Sequence, residues 1–139
     1  MAIIVDKETG NIELYQGDSG EINIEGIPTN RNYHVFFSIY NSKGKIVGDE
    51  VDIYSYKADT VVLTIPSSLT DLLTVTGGID STEEYYYGVK LCDEENGIED
   101  TQYVNGGKIG ELNTITVYPK KVEGIISWQQ FQQMKRKIQ

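Results

Sequence analysis

From Thr60 to Cys92 the chain reads TVVLTIPSSLTDLL, then a loop of small residues, then EEYYYGVKLC. This order restricts the fold more than any other stretch. Thr60 to Ile65 is short and rich in β-branched residues, which suits a pleated strand, and Pro66 stops it because proline brings no amide proton to a ladder. Ser67 to Leu72 has the composition of one helical turn. A serine or threonine is placed to cap the free amides, and Leu69 and Leu72, three apart, are expected to fold onto the core together. Tyr85, Tyr87, Val89 and Leu91 then alternate with Tyr86, Gly88, Lys90 and Cys92. With side chains alternating across a strand, the first set is expected to face the core and the second to be more exposed.

The remaining segments repeat the period-two pattern. Ala2 to Val5 is an apolar run suited to an edge strand or to an arm laid on a neighbouring subunit. Asn11 to Tyr15 turns Ile12 and Leu14 one way, Gly17-Asp18-Ser19-Gly20 supplies turn chemistry, and Glu21 to Ile24 turns Ile22 and Ile24 inward. Tyr33 to Tyr40 places Tyr33, Val35, Phe37 and Ile39 on one face and His34, Phe36, Ser38 and Tyr40 on the other. Aromatic residues on both faces predict a central strand covered on both sides. Asn41 to Lys45 reads as a tight turn. Ile46 to Tyr54 reads as a strand with a bulge at Gly48-Asp49-Glu50, its inward pair being Val51 and Ile53. Asp93 to Asp100 reads as an acidic hairpin tip turned by Asn96-Gly97, with Thr101 to Val104 returning. Asn113 to Tyr118 forms the last strand, closed by Pro119.

At 139 residues with 39% hydrophobic content, one domain with one modest core is expected. The amino terminus lacks the basic start and longer apolar run of a secretory signal, and no stretch is long enough to cross a membrane. A soluble protein made in the cytoplasm is the expectation. Cys92 is the single cysteine, which excludes an internal disulfide. The net charge of −9 argues against nucleic-acid binding, since phosphate contact needs clustered Lys and Arg.

Residues 1–123 carry all these strands, and residues 124–139 change character. Ser127 and Gln130 have the spacing of a capping box, and the run after them lacks Gly and Pro. Trp128, Phe131, Met134 and Ile138 recur at intervals of three and four, which gathers them into one apolar stripe. Lys135, Arg136 and Lys137 fall in the final turn, where they complement the helix dipole. A helix this short needs a surface to pack on, either its own domain or a partner. These seven residues are the candidate partner-binding set. Other copies of the chain are among the candidate partners.

Catalytic chemistry finds little footing. His34 sits mid-strand beside large aromatics with no nucleophile or carboxylate converging on it locally, so a structural role is favoured. A thiol dyad of His34 with Cys92 rests on residue type alone. The acidic run Asp93, Glu94, Glu95, Glu99 and Asp100 lacks the spacing of a calcium loop and reads as a solvated tip. Neither a cofactor nor a metal site is expected, and the chain is not expected to be an enzyme. Ten tyrosines are a candidate contact surface for protein or carbohydrate, with Tyr40 and Tyr86 the exposed candidates.

A strand, a turn holding Leu and Asp, and a Tyr-rich strand, set among short alternating runs, predict an all-β chain. The expected architecture is an immunoglobulin-like antiparallel β-sandwich with a short C-terminal α-helix. Taken together, YQGDSGEINIEGIP, YHVFFSIYNSKGKIVG, ADTVVLTIPSSLT and YYYGVKLCD resemble the Ig-like modules of tailed-bacteriophage virions, in particular the amino-terminal domain of lactococcal phage upper baseplate proteins. The resemblance covers residues 11 to about 118. It implies a non-enzymatic structural role in the virion through binding to other virion proteins. A baseplate or tail position and a capsid-decorating or head-fibre position both fit. A carbohydrate-binding or adhesive sandwich is the alternative.

Overall fold

Two layers form because apolar side chains recur at every second position in segments too short and too β-branched for helices. A computed structural model of the chain describes residues 3–102 and 113–121. Among these residues the order is β1 (Ile3–Val5), β2 (Ile12–Tyr15), β3 (Gly20–Glu25), β4 (Asn32–Tyr40), β5 (Val51–Tyr56), β6 (Thr60–Ile65), α1 (Ser67–Thr70), β7 (Glu83–Asp93), β8 (Ile98–Thr101) and β9 (Asn113–Tyr118). The larger sheet runs β1-β2-β9-β7-β4-β5, and the smaller pairs β3 with β6. β9 pairs with the first half of β7, and β8 pairs with its second half along the same edge. Pairing is antiparallel except between β2 and β9, which run parallel with Ile12 opposite Ile115. The architecture is an all-β, Ig-like sandwich.

The core lies between the layers. Val35, Phe37 and Ile39 of β4, with Tyr85, Tyr87, Val89 and Leu91 of β7, face Ile22, Leu63 and Ile65 of the small sheet. Each fully buried side chain of this size contributes roughly 1.5–3 kcal/mol of transfer free energy. The chain changes layer four times, and two of these crossings are the one after Gly17-Asp18-Ser19, entering β3, and the one through α1, entering β7. Both crossings are tied down by hydrogen bonds. The Thr70 hydroxyl donates to the Asp18 carbonyl at 2.6 Å, and Tyr85 donates its phenol to the Thr74 carbonyl at 2.7 Å. The second bond is similar to the tyrosine corner of Ig sandwiches in that a phenol near the start of a strand closes on the preceding loop. Tyr87 reaches across the core to donate to the Gly10 carbonyl.

The structure corrects several sequence expectations. Pro66, not a serine or threonine, holds the N-cap position of α1, and no side chain caps it. The Pro66 carbonyl instead accepts the Leu69 amide at 3.0 Å. Leu69 is buried, but Leu72 is 52% exposed and its neighbour Leu73 is fully buried. The turn tightens after Thr70, with the Leu72 and Leu73 amides donating to the carbonyls three residues back, and this rotates Leu73 inward.

The strand expected from Ile46 begins only at Val51, after an isolated bridge between Ile46 and Tyr40, and extends to Tyr56. Gly48 is the physical reason for the gap. Its φ of +68° is left-handed, and a Cβ there would come within 2.6 Å of Leu69 Cδ1. Val51 and Ile53 do pack on the core. The return strand after Gly97 starts at Ile98 rather than Thr101, because the turn is shorter than the acidic run. β1 lies on its own sheet as an edge strand. The helix expected over 124–139 lies outside the described residues.

Candidate functional site

β4 is central in its sheet, between β5 and β7, but among the described residues no element covers its outer face, where a covered one was expected. Register decides what that face carries. Phe36 lies opposite Lys90, Ser38 opposite Gly88, Tyr40 opposite Tyr86 and His34 opposite Cys92. The pairing of Ser38 with Gly88 leaves almost no side-chain bulk mid-face, and a groove of about 830 Å³ runs there. Phe36 and Tyr40 stand along it, with Glu50, Lys90, Glu99 and Thr101 also lining it. Sites for small molecules commonly measure about 300–1,000 Å³ and combine aromatic walls with a few polar groups.

Several polar groups lining the groove have defined partners. The Ser38 hydroxyl donates to Glu50 Oε1 at 2.8 Å. Lys90 Nζ meets Glu99 Oε1 at 2.9 Å, and this hydrogen bond raises the Lys90 pKa above its ordinary value. Asp93 turns away from the acidic tip into the sandwich and is buried. Its Oδ2 accepts the Asn96 side-chain amide at 2.7 Å and lies 3.7 Å from Arg31 Nη1. The Asn96 hydrogen bond, helped by the Arg31 charge, holds this carboxyl below its ordinary pKa. The solvated acidic tip therefore excludes Asp93.

His34 and Cys92 face each other across the ladder, which sequence alone gave no reason to expect. Their chemistry does not follow from their proximity. His34 stacks on Phe36 with ring centroids 5.6 Å apart and meets Tyr54 edge-on at 4.7 Å. Its Nδ1 is buried without a hydrogen-bond partner, 3.5 Å from Asp52 Oδ2. Burial pushes the Cys92 thiol pKa up, opposite to what an activated nucleophile needs. His34 thus braces the wall of the groove. Among the described residues, no group of three or more His, Cys, Asp or Glu is arranged to hold a metal ion.

A second recess follows the unpaired side of β3. This cleft, of about 480 Å³, is lined by Ile3 and Val5 from β1, Ile22 and Ile24 from β3, and Phe37 and Leu91 from the facing sheet. β3 bonds to β6 on one side only among the described residues, so the other side presents free backbone groups along the cleft.

The partner-binding set from sequence, Trp128, Phe131, Met134, Lys135, Arg136, Lys137 and Ile138, lies outside the described residues. Tyr40 and Tyr86 are half-buried; the most exposed tyrosine among the described residues is Tyr56, at 76%, on the edge strand β5. Sequence reasoning missed Glu50, Lys90 and Gly88 as groove residues. A lone Gly at an outward position of a Tyr-rich strand was the available signal, since it implies a gap on that face.

No protein-family model matches the chain, and no match arises among curated proteins. Among solved structures, the crystal structure of the periplasmic chaperone SfaE is similar, with a TM-score of 0.48 and 12% sequence identity. The similarity covers 85% of this chain, and this chain spans only 58% of that one.

Proposed function

We propose that the protein is a non-enzymatic structural subunit of a tailed-phage particle, made in the host cytoplasm and carried into the virion by binding other virion proteins. The phage assignment draws its support from the sequence resemblance over residues 11 to about 118. The protein-binding role draws its support from one observation, the one-sided pairing of β3 among the described residues, beside a cleft that Ile3, Ile22 and Phe37 help to line. An extended segment of another subunit adds to such an edge through main-chain hydrogen bonds and sends alternate side chains into the cleft. The apolar stripe at Trp128, Phe131, Met134 and Ile138 supplies a second contact in this reading.

Quantitative mass spectrometry of purified particles tests the role. A ratio near one per capsid subunit supports capsid decoration, and a few copies per particle support a tail or baseplate position; absence removes the virion reading. Ile24→Asp, at the half-buried lining of the cleft, is expected to cut incorporation while the chain still folds. Truncation after Gly124 tests the second contact in the same assay.

A further inference from the structure

We infer that the groove on the outer face of β4 and β7 is a saccharide-binding site that takes an uncharged pyranose of a neutral glycan. A pyranose offers a face of C–H groups and a rim of hydroxyls, so it needs an aromatic wall and hydrogen-bonding groups side by side. The groove has both. Phe36 forms a stiff wall, because His34 stacks on it with the rings 14° from parallel and Tyr54 holds His34 from the side. Tyr40 continues that wall along the same strand.

At the base, Glu50 spends Oε1 on the Ser38 hydroxyl and keeps Oε2 for an incoming hydroxyl. Opposite, the Lys90 and Glu99 pair presents an ammonium donor and a carboxylate acceptor 2.9 Å apart, a spacing suited to neighbouring ring hydroxyls. The absence of side-chain bulk at Gly88 gives the ring room to sit against the sheet.

Two observations select this ligand over others. Glu50, Glu94 and Glu99 all line the groove, and Lys90, its one cation among the described residues, is already paired, so sialylated or sulfated sugars meet repulsion. An extended peptide gains nothing from the floor either. Where the groove runs, β4 is paired to β7, and β7 to β4 on one side and β8 on the other, so their main-chain groups are engaged. Recognition there has to come from side chains. This site is separate from the β3 cleft, and it stands or falls independently of the virion role.

The test uses the full chain on an array of neutral and anionic oligosaccharides, followed by calorimetric titration with the best neutral one. Saturable binding of neutral glycans is expected. Glu50→Gln, which still accepts from Ser38, is expected to weaken it about tenfold or more, the effect of losing a hydrogen bond to a charged group. Phe36→Leu should weaken it too, and Ile24→Asp should leave it unchanged. Amide NMR shifts on titration provide a check that does not depend on the variants folding: they should centre on Ser38, Gly88 and Lys90. No saturable neutral-glycan binding, a preference for anionic glycans, or shifts centred elsewhere would each overturn the assignment.

Discussion

β4 and β7 are one pair of strands with two unlike faces. Inward, Val35, Phe37 and Ile39 interlock with Tyr87, Val89 and Leu91, and all are nearly or fully buried. Outward, Phe36 and Tyr40 stand beside Ser38, Gly88 and Lys90, and the surface between them is hollow. The backbone and hydrogen bonds are shared, so the difference comes from side-chain choice alone. The inner face is made of buried side chains in contact with the facing sheet, where the removal of an atom is felt. The outer face is deliberately underfilled at one pair of positions, and that gap is what makes it a site.

The sharpest way to test this contrast is to truncate neighbouring phenylalanines. Phe37→Ala should lower unfolding free energy by about 3–5 kcal/mol in chemical denaturation, because the ring is buried against Tyr87 with centroids 5.1 Å apart. Phe36→Ala, one residue away but half-exposed, should cost only about 1 kcal/mol. Equal losses at both positions would mean that the two faces are packed alike.

Tyr87→Phe probes the polar bond that crosses the inner face. It should cost about 1–2 kcal/mol, since the Gly10 carbonyl would lose its buried donor. Burial raises the Tyr87 pKa to about 12, so this phenol stabilises the fold fully below its unfolded value near 10. That contribution fades as pH rises toward 12. Melting temperature should therefore fall more steeply in the wild type than in Tyr87→Phe over that window; parallel curves would show that the phenol is not buried.

The smallest effect belongs to Asp93, at the inner end of β7. Its folded pKa is lowered, chiefly by the Asn96 side-chain amide, so its stabilising effect is complete above the unfolded carboxyl value. It is lost as pH falls through the lower folded value. Asp93→Asn should thus flatten the acid limb of stability below about pH 4, the ordinary Asp range. An unchanged acid limb would dissociate Asp93 from Asn96.

These comparisons also show what the sequence made legible. Alternation placed Tyr85, Tyr87, Val89 and Leu91 on the inner face because burial on one side of a strand leaves a period-two record. The sheet crossing after Ile65 was legible from Pro66 and the loop that follows it. Leu73 replacing Leu72 was not, because a turn that tightens after Thr70 leaves no periodic trace. The groove was hidden for a different reason. Ser38 and Gly88 are 50 residues apart, and only the antiparallel register sets them opposite each other. Glu50 joins them from a loop that the sequence suggested was strand.

The parallel pairing of β2 with β9 carries a consequence for how the chain is made. Ile12 waits for Ile115, on the far side of the sequence, before its sheet neighbour exists. During synthesis the ribosome must therefore deliver β3 through β8 while β1 and β2 have only each other as sheet partners. An isolated two-stranded ribbon of this length is marginal in water. Closing so long a loop is slow relative to forming local hairpins. β1 and β2 thus precede most of the sandwich in the chain yet are among the last parts to be secured, and they depend on β9, the last of the described strands, to seal them.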